Sequence, residues 1–355
     1  MGLTILNVSY VFAPVGPDTA GGAEQVLTAL DRALVAEGHR SFVIACEGSK
    51  TAGELLATAP LPEKFTEDQR RRAQKRHRQR IDQALRQWPV DVVHCHGFDF
   101  AGYMPPPGVP TLVTLHLPVD HYPPEALSEC RPWRYFNCVS TSQRRSFPAN
   151  QAMLPEIPNG VPVARLRARH AKRRFALALG RICPEKGFHH ALDAAALAET
   201  PLLIAGRVFP YPDHERYFAE KIQPRLGPHA RFLGNLDFAR KRRFLTAARC
   251  LLMPSLIAET SSLVAMEAIA CGTPVVAFPV GALPDLIEPG VTGFLVDDTQ
   301  QMAAAIRATG SINHDRCRKI AQQRFSLERM VEGYFGYYRK LAATAQSGVS
   351  TRWYA

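Results

Sequence analysis

Two glutamates eight residues apart, Glu259 and Glu267 in AETSSLVAMEAIACGTPVVAF (258–278), are the residues whose type and spacing most directly imply chemistry. Eight residues make slightly more than two α-helical turns, so the two carboxylates are expected to face nearly the same side, Glu259 before the first turn and Glu267 inside the helix. A carboxylate only accepts hydrogen bonds and can take two hydroxyl donors, which suits vicinal diols. A ligand with hydroxyls at both ends fits such a pair. A second candidate is LGRICPEKGFHHALDAAA (179–196), where Arg181, Lys186 and Gly187 sit between a strand and a helix. Arg offers a planar fork and Lys a point charge, a combination able to hold a diphosphate. A third is TAGGAEQV (19–26), in which Gly21 and Gly22 precede a helix whose first N–H groups favour phosphate. Read plainly, the second is two surface cations and the third a tight turn.

These loops need strands before them and helices after them. Short β-branched runs alternate with amphipathic stretches, which predicts α/β structure with parallel sheets. In the first half the strands are TILNVS, SFVIA, DVVHC, TLVTL and NCVST. Helices are expected over AEQVLTALDRALVAEG and over 67–88. A second series begins near 174 with RFALALG and continues through LLIAG, ARFLG, CLLMP, PVVAF and GFLV. The result is two doubly wound, Rossmann-like domains: 1–165, and 166–325 with the donor-type loops. A terminal helix occupies 326–355 and packs back toward the first domain; its aromatic residues Tyr334, Phe335, Tyr337 and Tyr338 are read as packing. In doubly wound sheets, ligands bind beyond the carboxyl ends of the strands.

The chain has 355 residues, 46% hydrophobic and 21% charged, the balance of a globular protein with more than one core. No run approaches the length of a membrane span, and MGLTILNVSYVF lacks the pattern of a signal peptide. The eight cysteines include no CxxC pair, so neither a zinc knuckle nor a disulfide framework is indicated and a cytoplasmic setting is expected. The net charge of +11 is uneven: 17 basic against 16 acidic residues in 1–165, and 26 against 16 in 166–355. Basic runs lie at 70–80, 165–174 and 239–244. Without interleaved aromatics or a nucleic-acid motif they do not indicate nucleic acid. They leave solvated helix faces, or peripheral contact of 70–80 with an anionic membrane inner face, as the readings.

With these residues in view, the chain resembles the glycosyltransferases of the GT-B fold, family four, a retaining class. The likeness rests on GRICPEKG (180–187), ETSSLVAMEAIACGTPVVA (259–277), IPNGVP (157–162), AGR (205–207), RFLGNL (231–236) and LPDLIEPGVTGFLV (283–296), in family order. It implies two domains facing a central cleft and transfer of a hexose-type sugar from a nucleoside-diphosphate sugar (UDP-, GDP- or ADP-linked) to a hydroxyl. The acceptor is a glycan, a lipid-linked sugar or a small natural product. It further implies that Arg181 and Lys186 hold the diphosphate, Glu267 the ribose hydroxyls and Glu259 the transferred sugar. Backbone amides over Ser261, Ser262, Leu263 and Val264 would face sugar and phosphates. Gly21 and Gly22 would close over the diphosphate, and His116 in TLHLP would sit by the sugar. Arg181, Lys186, Glu259 and His116 form the implied catalytic set.

Cations and helix amides at the leaving diphosphate would stabilise the transition state more than the ground state. No D-x-D pair is present, so no metal or other cofactor is expected. No side-chain nucleophile is evident, which favours a front-face mechanism. His94 and His96 are assigned to opposite sides of a strand end, with His96 the candidate for lining the acceptor site. The chain departs from the family at Thr260-Ser261-Ser262, where Pro-Phe-Gly is usual, at Pro162 and at Arg207. Two alternatives remain: another GT-B enzyme, such as a nucleotide-sugar epimerase or hydrolase, or a non-catalytic nucleotide-sugar-binding protein.

Overall fold

A computed structural model describes residues 2–19, 21–62, 66–128, 131–148, 152–168 and 170–347. The chain forms two compact units, 1–159 with 328–355, and 160–327. Each is built on a six-stranded, wholly parallel sheet.

In the first unit the strands are β1 (Thr4–Val8), β2 (Arg40–Ala45), β3 (Glu54–Ala57), β4 (Val92–Cys95), β5 (Thr111–Leu115) and β6 (Arg134–Cys138), in the order β3-β2-β1-β4-β5-β6. In the second they are β7 (Ala176–Leu179), β8 (Leu202–Ala205), β9 (Ala230–Phe232), β10 (Cys250–Met253), β11 (Val275–Ala277) and β12 (Gly293–Leu295), in the order β12-β11-β10-β7-β8-β9. The orders are the same: the chain winds one way from the first strand, then returns beside it and winds the other way. The reversal lies between β1 and β4 in one unit and between β7 and β10 in the other. It is there that doubly wound sheets open a crevice at their carboxyl ends.

The helices that bear on function are α1 (Gly22–Ala36), α2 (Glu67–Gln87), α3 (Phe188–Leu197), α4 (Pro212–Tyr217), α5 (Phe238–Ala247), α6 (Leu263–Ala270) and α7 (Leu327–Ser347). Central strands such as β4 and β10 are buried along their whole length because helices cover both faces. α2 starts in a capping box, with Thr66 and Gln69 exchanging side-chain and backbone hydrogen bonds. Its basic residues mostly face outward, while His77, Ile81 and Ala84 point into the core. α7 belongs to the first unit, where Tyr334 and Tyr338 are fully buried and the Tyr337 hydroxyl donates to the Pro155 carbonyl at 2.6 Å.

One strand goes beyond the expected set and one expectation needs correction. β3, ELLA, carries too short a pattern to be seen in sequence, and pairing with β2 creates it. NCVST does not form a strand to its end: β6 stops at Cys138 because Ser140 caps the helix Thr141–Ser146, accepting from the Gln143 N–H at 3.1 Å.

Candidate functional site

At the reversal point of the second unit, the loop after β7 rests on the loop after β10. Gly187 has φ +60°, and a Cβ there would fall 2.1 Å from the Pro254 carbonyl oxygen, so only glycine lets the backbones meet. The Leu256 N–H donates to the Glu185 carbonyl at 2.8 Å, joining the two loops. This contact delivers Lys186 to Glu259: Nζ lies 2.5 Å from Oε1, and the Ser255 hydroxyl donates to the same oxygen at 2.6 Å. Both side chains are largely buried, 21% and 11% exposed. Glu259 is held at its backbone too, where its carbonyl accepts from the Ala282 N–H at 2.7 Å beneath the left-handed Gly281.

The expected helical relation between the two glutamates does not hold. α6 starts at Leu263, capped by Ser262, whose hydroxyl accepts from the Ala265 N–H at 3.2 Å; residues 259–262 are not helical. The position of Glu259 therefore comes from its loop contacts and not from a two-turn repeat. Glu267 lies inside α6 with its side chain 4% exposed, and Oε1 is 2.5 Å from Lys241 Nζ on α5. Its other oxygen, Oε2, is buried with no protein partner, as is the Ser261 hydroxyl. A buried carboxylate oxygen left open is costly unless something donates to it. No hydrogen bond among the described residues uses the Leu263 or Val264 N–H, as usual for a helix's first turn.

Sequence reasoning missed Lys241 and Ser255. Lys241 was part of the basic run 239–244, and nothing in that run marks one cation as facing inward. Arg181 is exposed and makes no side-chain hydrogen bond among the described residues. Arg207 stacks its guanidinium 5.0 Å over the Phe209 ring.

In the first unit, Gly21 caps α1 in an extended conformation. A Cβ on it would lie 1.7 Å from Glu24 Oε2, so the buried Glu24 side chain folds over this helix end. An anion arriving there meets a carboxylate as well as amides.

At the carboxyl ends of β4 and β5 stands a chain of buried histidines. His94 and His96 do not face opposite sides: their ring centroids are 3.9 Å apart, because residues two apart on a strand share a face. His96 Nδ1 lies 3.1 Å from His116 Nε2. The Thr114 hydroxyl donates to Asn137 Oδ1 at 2.7 Å, so it accepts from His94 Nε2–H at 2.7 Å, and His94 Nδ1 then accepts the Tyr338 hydroxyl at 2.7 Å. His96 Nε2 is buried without a partner. Burial pushes His94 and His96 well below the ordinary histidine range, and His116 down to about 3. All three are neutral at physiological pH. In the segment after β4, Asp99, unnoticed in sequence, is raised by burial to about 6 and accepts from Gln74 and Tyr103, both at 3.0 Å.

Thus Lys186, Glu259, Ser261, Ser262, Leu263, Val264 and Glu267 stand around the α6 start and its supporting loops, with Arg181 at the head of one of them. Gly21, Gly22, His96 and His116 belong to the other unit.

Two family models match the chain: one described as Glycosyltransferase Family 4 over residues 20–165, the other as Glycosyl transferases group 1 over 173–309. Phosphatidyl-myo-inositol mannosyltransferase of Mycolicibacterium smegmatis is 35% identical over 180 residues, 46% of this chain and 44% of that protein. The match thus spans less than half the length of that relative. Among solved structures, AviGT4, a glycosyltransferase involved in avilamycin A biosynthesis, is 25% identical with a TM-score of 0.71, covering 96% of this chain and 98% of its own. HepE of Anabaena in complex with UDP-glucose is 19% identical with a TM-score of 0.72, covering 97% and 100%.

Proposed function

Since the chain belongs to the family-four glycosyltransferases of the GT-B fold, we propose that it moves a hexose-type sugar, with retention, from a nucleoside-diphosphate sugar to an acceptor hydroxyl. The observation that carries the reading is the pair of lysine-bound glutamates around α6, one of which keeps a buried, open carboxylate oxygen. Glu267 Oε2 accepts from the ribose. Glu259 orients the transferred sugar, and Lys186 with Arg181 neutralises the diphosphate. As the anomeric bond breaks, charge grows on the β-phosphate, where these cations and the α6 amides act most strongly. Glu259 is already engaged by Lys186 and Ser255, an arrangement for positioning hydroxyls and not for nucleophilic attack. The leaving phosphate itself takes the acceptor proton on the front face. The positive charge comes from side chains, so transfer needs no divalent cation bridging the diphosphate. The HepE complex with UDP-glucose supports a donor of this class.

His116 and His96, neutral rings of the first unit, are proposed to meet the sugar and the acceptor. The acceptor is a glycan, a lipid-linked sugar or a small natural product. No helix among the described residues is long and apolar enough to cross a membrane, and the exposed Arg71, Arg72, Lys75 and Arg76 of the 70–80 stretch of α2 suit peripheral contact with an anionic surface at the inner face. Vesicle binding through them falls as salt rises; binding unchanged at 1 M salt removes this part of the proposal.

The function is tested by titrating UDP, GDP and ADP calorimetrically without metal, then assaying the matching nucleotide sugars with and without sugar and lipid acceptors. One preferred nucleotide, with transfer that keeps the anomeric configuration, is expected. Donor turnover that ignores acceptors points to the epimerase or hydrolase reading. Tight binding without turnover points to a binding protein. A trapped glycosyl-enzyme defeats the front-face step.

A further inference from the structure

On the donor-type loop, Cys183 and Glu185 approach His214 of α4, and one ligand atom from each lies within 4.8 Å of the others. None of the three was implicated above in binding nucleotide or sugar. Cys183 is fully buried and His214 is 9% exposed. His214 Nδ1 has no hydrogen-bond partner, and neither does the buried Glu185 Oε2. Glu185 as a residue is not buried, but an imidazole nitrogen and a carboxylate oxygen that are both shielded, both unsatisfied and both beside a thiol are unusual.

We infer that Cys183, Glu185 and His214 form a binding site for a zinc-class divalent cation. Sulfur, nitrogen and carboxylate oxygen are the donor set such an ion takes, with water in a fourth position. Thiolate and carboxylate together carry two negative charges, which match the ion and leave Arg181 its own charge. Ligand atoms around tetrahedral zinc stand roughly 3.5 Å apart, so the side chains draw together by about 1 Å on binding. The thiol proton leaves as the metal enters.

The ion ties the loop between β7 and α3 to α4, two segments far apart in sequence. Its role is to hold that loop, not to act on the diphosphate. Any consequence for donor affinity, through Arg181 and Lys186 on the same loop, rests on the function proposed above; the metal binding does not.

The test uses the full-length protein freed of metal, titrated with Zn²⁺ and separately with Co²⁺, with bound metal measured by elemental analysis. One Zn²⁺ per chain and a raised melting temperature are expected. Co²⁺ should give an intense near-ultraviolet thiolate-to-cobalt band, absent in Cys183→Ser and present in the control Cys317→Ser. His214→Gln should weaken Zn²⁺ binding at least tenfold. If Cys183→Ser does not fold, the stoichiometry of His214→Gln decides. Less than a tenth of an equivalent of bound zinc, or a cobalt band that survives Cys183→Ser, overturns the inference. Nucleotide binding by the metal-free protein is read separately, so failure of the metal site is distinguishable from failure of the donor site.

Discussion

Replacing Glu267 by Gln tests the proposed donor site at its most exacting point. The substitution preserves shape but removes the charge that balances Lys241, on a side chain 4% exposed against one 17% exposed. Breaking one side of a buried ion pair costs up to about 3–5 kcal/mol. The Gln carbonyl still accepts from Lys241, so a loss near the lower end, about 3 kcal/mol, is expected in thermal or urea unfolding. With that carbonyl turned to Lys241, the amide NH₂ occupies the place of Oε2, the oxygen left open in the structure. A ribose hydroxyl then loses a charged acceptor, worth about 1.5–3 kcal/mol, or roughly ten- to a hundredfold in Kd. Calorimetric titration of the preferred nucleotide on the folded variant reads this directly. Lys241→Met combined with Glu267→Gln separates the two effects, because removing the orphaned cation restores stability without restoring the charged acceptor. If folded Glu267→Gln binds nucleotide within twofold of wild type, Glu267 is only a counterion for Lys241, and its assigned role is wrong.

Three other outcomes follow from the same geometry. In the first unit, His77 is lowered by burial to about 4 and His116 to about 3, with His94 and His96 also well below the ordinary range. The unfolded chain therefore binds more protons from about pH 6.5 down through these folded values, and stability falls with acidification by up to about 1.4 kcal/mol per pH unit per histidine. Fluorescence of Trp88 and Trp133 in urea at pH 7, 6 and 5 measures it, and a flat midpoint contradicts it. Gly187→Ala forces a Cβ toward the Pro254 carbonyl at φ +60°; it should cost about 1–3 kcal/mol and weaken nucleotide binding by displacing Lys186, and unchanged values for both count against the loop contact. Tyr338→Phe leaves His94 Nδ1 buried without a donor and should cost about 1–3 kcal/mol in urea unfolding, whereas no change would mean the hydroxyl carries no weight.

The α/β class, most of the strands and the strand-to-helix loops of the candidate site are legible in the residue order alone. Periodicity, glycine before a helix and paired cations are local signals, and they survive in one dimension. GRICPEKG could be read as a strand-to-helix turn with two cations because every part of that description lies within eight residues. Partners brought from elsewhere were decided by the tertiary structure. Lys241 meets Glu267 across 26 residues, Ser255 joins Lys186 on Glu259, and Tyr338 reaches His94 across 244 residues. No spacing rule encodes such contacts, because the energy of burying a charge depends on what faces it and not on its neighbours in the chain. The same cause explains β3, which pairing with β2 creates from four ordinary residues. It explains the unpaired Oε2 of Glu267 as well: burial isolates that oxygen, and burial is a property of the folded chain alone.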